Sequence, residues 1–269
     1  MLPEKVNLYD GAYGNYSLQP FAHIRIETYG DDLGQTSWVT KEESAAIPGL
    51  LKLTTDSNVL EIGCGSGAYA LHISEKVGCH IVGTDINASG IENANRLSHL
   101  RNLDERANFQ QCDVSTKLPF QSDIFDAVFA NDVLCHIKER SSVLAEIYRV
   151  LKRKGLMLFS DALVIGGIIS HEEIATRSSI GFYVFSPPGE NERLMQQTGF
   201  RVIAATDTTD SAASIARKWR DAREKYKDEL IKAEGTQTYD GLQRFLDCVR
   251  TLTEEKRLLR FLYLAQKEG

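Results

Sequence analysis

The amino-acid sequence predicts an α/β fold built on a doubly wound, mostly parallel sheet of seven strands. The first observation is a short apolar run at residues 58–62, followed by glycines at alternate positions and then by a helical pattern. The second observation is that strand-like and helix-like segments continue to alternate along the chain, as in doubly wound sheets. Because such sheets bind ligands at the carboxyl ends of their strands, we expect the functional site there.

Local patterns predict each element. The strands are expected at residues 58–62, 80–85, 107–112, 124–130, 156–161, 200–205 and 260–266. The helices of this alternating core are expected at residues 41–51, 67–77, 88–100, 139–153 and 190–198. Apolar residues at helical spacing predict one buried face for residues 139–153, and Gly155 predicts the end of that helix. The basic run at residues 152–154 is therefore interpreted as helix-end charge rather than as an anion site.

Two segments lie outside this alternation. Residues 1–40 contain six aromatic residues and several glycines, which suits a lid over a small-molecule pocket. The alternative is an arm that buries its rings on the core. Residues 208–256 carry two amphipathic helical patterns with charges of mixed sign, which favours a helical cap inserted before the last strand. We therefore predict an N-terminal lid (1–40) and a main domain (41–269) that contains this insertion.

Composition limits the possible partners. The chain has 269 residues, of which 42% are apolar and 25% are charged, as is ordinary for a globular protein. The net charge of −6 disfavours a nucleic-acid partner, because binding to phosphates relies on clustered Lys and Arg. No apolar run approaches the ~20 residues of a membrane span, and the first ten residues lack a signal-peptide pattern, so a cytoplasmic protein without a membrane partner is expected. Five cysteines without a C-x-x-C spacing indicate neither disulfides nor a metal site.

The glycine-rich turn after the first strand is compatible with two ligands. Gly63, Gly65 and Ala68 fit the dinucleotide fingerprint, and Asp85 lies 20 residues beyond Gly65, so a dinucleotide-dependent oxidoreductase is one alternative. Glu61 argues against it, because its carboxylate would repel a pyrophosphate. A carboxylate there suits a ligand with an ammonium group, such as S-adenosylmethionine. The competing interpretation is that Glu61 caps its own turn.

The segment V-L-E-I-G-C-G-S-G resembles the first motif of class I S-adenosylmethionine-dependent methyltransferases, and further landmarks of that family recur over about residues 55–206. The resemblance implies a Rossmann-like sheet with an antiparallel last strand and S-adenosylmethionine as cofactor. For that ligand, Asp85 would accept from the ribose diol and Ile86 would contact adenine. Asp113 would accept from the adenine amino group beside Val114, although either aspartate alone can also be a helix cap or a loop residue. The expected cofactor residues are Glu61, Gly63, Gly65, Gly67, Asp85, Ile86, Asp113, Val114 and Asn131.

The segment A-N-D-V-L-C-H-I after the fourth strand lies beside the reactive methyl group in small-molecule methyltransferases. Asn131 or Asp132 would reach the methionine end of the cofactor, and His136 would face the substrate as the candidate base. Asp161, at the end of the fifth strand, would orient His136 or bind a substrate cation. The alternatives are a helix-start position for His136 and a cap for Asp161.

The whole layout resembles the phosphoethanolamine and sarcosine/dimethylglycine methyltransferases and similar sugar O-methyltransferases. This resemblance implies that a lid tyrosine, Tyr16 or Tyr13, acts with His136. Where the phosphoethanolamine group tends to carry Arg, this chain has Asn131, and residues 181–190 lack a basic residue for a phosphate, so a less polar substrate is expected. The expected substrate residues are Tyr13, Tyr29, Trp38 and Tyr183.

The predicted function is therefore transfer of a methyl group from S-adenosylmethionine to an N or O atom of a small metabolite. The alternatives are a dinucleotide-dependent oxidoreductase and a cofactor-binding protein of this fold without methyl transfer.

Overall fold

A computed structural model describes residues 5–268 and confirms the α/β class, with helices on both faces of one seven-stranded sheet. The strand order is β3-β2-β1-β4-β5-β7-β6. The strands are β1 (Asn58–Ile62), β2 (His80–Asp85), β3 (Ala107–Gln111), β4 (Phe125–Asn131), β5 (Leu151–Ile165), β6 (Phe200–Asp207) and β7 (Leu258–Lys267). Strands β1 to β5 pair in parallel, whereas β7 runs antiparallel to both β5 and β6, as the resemblance implied.

The helices follow the chain between and beside these strands. They are α1 (Leu8–Gly14), α2 (Gln19–Tyr29), α3 (Lys41–Leu50), α4 (Ala68–Val77), α5 (Ala88–Leu100), α6 (Arg140–Val150), α7 (His171–Arg177), α8 (Glu190–Thr198), α9 (Thr209–Lys225), α10 (Lys227–Glu234) and α11 (Thr236–Glu254). A short 3₁₀ turn covers Leu134–His136. None of the helices within residues 5–268 combines the length and the apolar character that crossing a membrane requires.

The central strand β1 is buried on both sides. Val59 packs into one apolar layer, and Leu60 and Ile62 pack into the layer on the other face of the sheet. This alternation explains why β1 is apolar along nearly its whole length, because helices cover a parallel sheet on both faces. The turn between β1 and helix α4 ends at Gly67, which has a φ of 77°. The turn thereby leads the chain away from the carboxyl end of β1.

The structure corrects the prediction at the end of α6. The helix ends at Val150, and residues 152–154 belong to the start of β5 rather than to the last turn of a helix. Lys152 forms an ion pair with Asp126 at 2.8 Å, and Lys154 has a φ of 64°. The basic run is thus a strand start with one paired side chain, and β5 is longer than the pattern indicated. Helix α7, in the segment with an irregular pattern, was also not predicted.

The predicted helical cap lies between β6 and β7, but it contains three helices rather than two. The first amphipathic pattern breaks at Tyr226, which caps both α9 and α10. The cap and the N-terminal segment share one apolar cluster, in which Trp38 lies 5.9 Å from Trp219 between ring centroids and Tyr29 lies 6.4 Å from Trp219. Residues 1–4 of the predicted lid lie outside the described residues. From residue 5 onward, the N-terminal segment combines the predicted lid with the alternative of a packing arm. Some of its rings are buried in this cluster, and others line a cavity.

Candidate active site

A cavity of about 670 Å³ lies at the carboxyl ends of β1 to β4, beneath helix α1. This volume falls within the range of roughly 300–1,000 Å³ that is typical of small-molecule sites. Its wall is built by the lid, the glycine turn, the ends of β2 to β4 and the segment that contains α7. The cavity therefore lies where a doubly wound sheet is expected to bind its ligand.

Asp85 ends β2 at one side of the cavity. Its two carboxylate oxygens accept hydrogen bonds from the backbone N–H of Gly65 and of Asn87, each at 2.8 Å. Burial raises the pKa of Asp85, while these backbone donors oppose the rise. These two donors hold the carboxylate in the cavity wall.

Ile86, Asp113 and Val114 extend this wall along the ends of β2 and β3. Ile86 is 65% exposed, which is unusual for an isoleucine and suits a flat apolar ligand ring. One oxygen of Asp113 accepts from the backbone N–H and the hydroxyl of Ser115, at 2.9 Å and 2.6 Å. Asp113 thus makes the contacts of a loop residue, and it still lines the cavity as predicted.

The glycines of the turn have different roles. Gly63 has a φ of 70°, and a Cβ there would lie 2.2 Å from a Val133 methyl group, so no side chain fits. Gly63 and Gly65 line the cavity. Gly67 does not, which corrects the prediction: a Cβ on it would meet Ala94 and Phe109 at 2.9 Å. Its lack of a side chain instead permits the turn to pack tightly on α5 and β3.

Glu61 also departs from the expectation. It is only 1% exposed and lies behind the turn rather than in the cavity wall. Its Oε2 accepts from the backbone N–H of Ala70 in the first turn of α4, at 3.1 Å, and burial raises its pKa well above the usual range. The alternative interpretation, in which Glu61 caps the turn that follows it, describes its contact in the structure.

Asn131 and Asp132 end β4 at the floor of the cavity. Nδ2 of Asn131 is buried without a hydrogen-bond partner in the described part of the chain, although the residue lines the cavity. A buried amide donor without a partner is costly, and a ligand carboxylate would satisfy it. Together with Asp85 and Ile86, this free donor means that the residues present fit S-adenosylmethionine, which carries a ribose, an adenine and a carboxylate.

Asp132 is held by the protein itself. It has a φ of 58°, and its Oδ1 accepts from the hydroxyl of Ser160 at 2.8 Å and from Nε of Arg260 at 2.9 Å. Its Oδ2 accepts from the backbone N–H of Trp38 at 2.9 Å. This carboxylate therefore connects the floor of the cavity to the base of the lid.

His136 lies on the opposite side of the cavity from the glycine turn and contacts the lid. Its Nδ1 lies 3.1 Å from the carbonyl oxygen of Phe182, and its Nε2 lies 3.0 Å from the Tyr9 hydroxyl. Nδ1 must donate to the carbonyl, so Nε2 accepts from Tyr9. Burial lowers the pKa of His136 to about 4, so the ring is neutral at neutral pH and its lone pair lies on Nε2, where it accepts from Tyr9. The partner of His136 is thus Tyr9, which the sequence analysis did not select.

Asp161 does not reach His136, which corrects the prediction. It is fully buried and lies outside the cavity wall. Its oxygens accept from Arg140 at 2.7 Å, from Asn191 at 3.0 Å and from the backbone N–H of Leu163 at 2.9 Å. This carboxylate is an internal anchor for the segment after β5 rather than a group that meets a substrate.

Two of the selected tyrosines are also placed elsewhere. The Tyr16 ring packs against the Arg25 guanidinium, whose central carbon lies 4.5 Å from the centroid of that ring. The Tyr29 hydroxyl donates to the carbonyl oxygen of Ser37 at 2.8 Å. Neither lines the 670 Å³ cavity. Tyr13, Trp38 and Tyr183 do line it.

Sequence reasoning missed Tyr9 and Arg177 in the cavity wall. Tyr9 was one of the six aromatics of the lid, but its pairing with His136 spans 127 residues of sequence and has no local signal. Arg177 ends α7, in the segment with an irregular pattern. Three buried or half-buried thiols, those of Cys64, Cys112 and Cys135, also line the cavity, and burial raises the pKa of each.

The strand order, the glycine turn and the cavity define a Rossmann-like protein of the class that binds a nucleoside-containing cofactor. A family model described as a methyltransferase domain matches residues 60–159, so the chain carries a methyltransferase domain in that range. This confirms the resemblance to S-adenosylmethionine-dependent methyltransferases, and the comparisons do not favour a dinucleotide-dependent oxidoreductase.

Individual relatives agree with this assignment. Phosphoethanolamine N-methyltransferase 1 of Zea mays is 29% identical over 71% of this chain and 38% of its own length. The 27-O-demethylrifamycin SV methyltransferase of Amycolatopsis mediterranei is 26% identical over 92% of this chain and 94% of its own length. Phosphoethanolamine N-methyltransferase 2 of Haemonchus contortus, solved with phosphomonomethylethanolamine and S-adenosylhomocysteine, superposes with a TM-score of 0.81 at 22% identity, over 97% of this chain and 60% of that one. This chain thus spans well under half of the Zea mays relative, and the structural likeness supports the fold.

Proposed function

We propose that this protein transfers the methyl group of S-adenosylmethionine to an N or O atom of a small metabolite. The observation that carries the proposal is the cavity itself. At one side it presents Asp85, Ile86 and the free amide donor of Asn131, and at the other it presents a neutral His136 whose Nε2 can accept a proton. When bound, S-adenosylmethionine would supply the activated methyl carbon.

The proposed cofactor residues are those that line the cavity at the ends of the strands. The ribose diol would donate to Asp85, adenine would lie on Ile86 beside Val114, and Asp113 would accept from its amino group. The methionine carboxylate would accept from Nδ2 of Asn131.

The proposed acceptor site lies between the lid and His136. Tyr13, Trp38 and Tyr183 form its aromatic walls, and helix α1 would exclude water from it. An acceptor N–H or O–H beside Nε2 of His136 would take the place of the Tyr9 hydroxyl and pass its proton to the imidazole as it is methylated. Since the net charge is −6 and the cavity is enclosed by the lid, the acceptor we propose is a small molecule and not a nucleic acid.

Two measurements test this function. Isothermal titration should show binding of S-adenosylhomocysteine and no binding of NAD, whereas tight NAD binding with no uptake of S-adenosylhomocysteine would contradict the proposal. A screen of a metabolite pool with labelled S-adenosylmethionine should then reveal a labelled small product. With that acceptor, His136→Gln should lower kcat by about 10²- to 10⁴-fold.

The matched control in that assay is His99→Gln, because His99 is an exposed histidine on α5 outside the cavity. It should retain the wild-type kcat. Equal turnover by the His136→Gln variant and the wild type would remove His136 from the proposed proton transfer.

A further inference from the structure

We propose that the methyl acceptor carries a carboxylate and that Arg177 binds it inside the cavity. This inference rests on the proposed function, since it concerns the acceptor side of the same site. Arg177 is 1% exposed, it lines the cavity, and its Nε and Nη1 have no hydrogen-bond partner within residues 5–268.

Arg177 differs from the other arginines that are buried in the described part of the chain. Each of those forms an ion pair with an acidic side chain: Arg25 with Asp32, Arg140 with Asp161, Arg223 with Glu234, and Arg260 with Asp132 and Glu43. Across residues 5–268, no ion pair joins Arg177 to a carboxylate. Because a buried charge is costly unless it is paired, a guanidinium in the cavity wall without an acidic partner indicates an anion in the ligand.

Aromatic rings hold this guanidinium in place. Its central carbon lies 4.5 Å from the ring centroid of Tyr183, 5.1 Å from that of Phe245 and 5.8 Å from that of Trp38. Cation–π contacts offset part of the cost of burial, but they satisfy none of the unpartnered N–H groups. The rings also exclude water, which strengthens a charge-assisted hydrogen bond from these N–H groups.

The charge of the site favours a carboxylate over a phosphate. Besides Arg177, the other Lys or Arg among the described residues that line the cavity is Lys138, whose side chain is exposed. A phosphate carries about −1.5 to −2 at neutral pH and three acceptor oxygens, and a single buried guanidinium does not neutralise it. One carboxylate matches the single buried charge and can accept from the planar guanidinium.

The position of Arg177 relative to His136 is consistent with an acceptor of small size. The Tyr183 ring lies 4.4 Å from the His136 ring between centroids, and Arg177 stacks on the same tyrosine. The proposed base and the proposed anion site are therefore neighbours on one aromatic residue. A small acid can place its carboxylate at Arg177 while its nucleophilic N or O lies beside His136.

Binding of simple probes tests the proposal without knowledge of the natural acceptor. The three probes are benzoate, its neutral isostere benzamide, and phenyl phosphate. Each is tested against the full-length protein without cofactor by thermal shift, and against the protein saturated with S-adenosylhomocysteine by calorimetry. We expect benzoate to bind about tenfold or more tightly than benzamide, as expected for loss of a charge-assisted hydrogen bond. Arg177→Gln should abolish this preference, and Arg177→Lys should retain part of it.

The control is Arg223→Gln, because Arg223 is also buried and stacked on a tyrosine but has Glu234 as its partner. It should retain the preference for benzoate even if its stability falls. Equal or absent binding of benzoate and benzamide by the wild type would overturn the proposal, and so would a benzoate preference that survives in Arg177→Gln. Tighter binding of phenyl phosphate than of benzoate would overturn the choice of a carboxylate.

Two further outcomes separate this inference from the proposed function. A fall in S-adenosylhomocysteine affinity in Arg177→Gln would assign the arginine to the methionine carboxylate of the cofactor and overturn the inference alone. Failure of the wild type to bind S-adenosylhomocysteine would contradict the proposed function, while the thermal-shift comparison without cofactor would still decide the role of Arg177.

Discussion

The Asp85 carboxylate is held by two backbone donors, the N–H groups of Gly65 and Asn87. Asp85→Asn replaces one acceptor oxygen by an NH₂ group, which would face one of these backbone N–H donors. The remaining neutral amide oxygen is also a weaker acceptor for a ribose diol. We expect the affinity for S-adenosylhomocysteine to fall by about ten- to hundredfold, from the loss of a hydrogen bond to a charged group. Calorimetry measures this.

Asp104→Asn is the matched control, because Asp104 is exposed and contacts His99 outside the cavity. Its affinity for S-adenosylhomocysteine should equal that of the wild type. Unchanged affinity in Asp85→Asn would show that the ribose is held elsewhere.

His136 makes the stability of the protein depend on pH. Its pKa of about 4 in the folded protein lies below the usual value of about 6.5, because burial disfavours the charged ring. Between these values the unfolded chain binds a proton that the folded protein does not bind. The contribution of His136 to stability is therefore fully present above about pH 6.5 and is lost as the pH falls toward 4.

We expect this residue to remove about 2 kcal/mol of stability between pH 7.5 and pH 5, and His136→Gln to lack that loss. Urea unfolding at pH 7.5, 6.5 and 5.0 measures the slope. The His99→Gln control should keep the wild-type slope. Parallel pH profiles for the wild type and His136→Gln would contradict the lowered pKa.

Helix α1 is the element that joins the two halves of the cavity. On one side of the helix, Nδ2 of Asn87 donates to Asp10 at 2.6 Å and Nδ2 of Asn93 donates to the carbonyl of Tyr13 at 2.9 Å. Tyr9, on the same helix, donates to His136. Its closed position is therefore set by contacts with α5 on one side and with the proposed base on the other.

Gly65 provides a test of this element. Its φ is 53°, and a Cβ there would lie 2.6 Å from the Tyr13 hydroxyl. Gly65→Ala should displace Tyr13 from the turn and weaken binding of S-adenosylhomocysteine by about tenfold or more. Backbone strain at this residue should also lower the free energy of unfolding by about 1–2 kcal/mol. Calorimetry and urea unfolding measure the two effects separately.

Gly30→Ala is the matched control, because Gly30 has a φ of 76° and open space where the Cβ would lie. It should show the loss of stability without the loss of affinity. A similar affinity in both variants would indicate that Tyr13 does not need to rest on the glycine turn.

At the level of elements, the sequence predicted the central sheet well. The apolar run of β1, the alternating glycines after it and the helical spacing of α4 and α5 are local patterns, and each element formed close to its expected residues. The errors lie where tertiary contacts decide. Residues 152–154 lie in β5, where Lys152 forms an ion pair with Asp126 of β4, instead of extending α6, and Tyr226 interrupts an otherwise continuous amphipathic pattern.

The same reasoning explains which site residues were found. Asp85 and Asn131 are the last residues of β2 and β4, so the strand ends fixed them at the sheet edge. Asp161 was expected at a strand end too, but β5 continues to Ile165, and Arg140 and Asn191 pair with Asp161 away from the cavity. Tyr9 and Arg177 belong to the cap and lid, whose packing on the sheet depends on contacts far apart in sequence.

Across the whole molecule, Arg260 connects the last strand to the cavity floor and to helix α3. From β7 it donates to Asp132 at 2.9 Å and to Glu43 on α3 at 3.0 Å. Arg260→Met would leave the buried Asp132 and the half-buried Glu43 without their cation. We expect a loss of about 3–5 kcal/mol in the free energy of unfolding, measured with urea.

Arg257→Met is the control, because Arg257 pairs with Glu173 and Glu255 near the surface. A change of less than about 1 kcal/mol is expected there. Arg260→Met with wild-type stability would show that the Asp132 network contributes little to holding the lid segment at Trp38.

Tyr13 and Tyr9 lie on the one short helix α1, so a donor bound beside the turn at Gly65 and an acceptor bound beside His136 would contact the same helix, and we expect the bound donor to fix that helix before the acceptor enters. Steady-state kinetics should then follow a compulsory order, with the methyl donor adding first and S-adenosylhomocysteine leaving last. S-adenosylhomocysteine should compete with the donor and inhibit noncompetitively against the acceptor. A random-order pattern would mean that each ligand reaches its half of the cavity independently of the other.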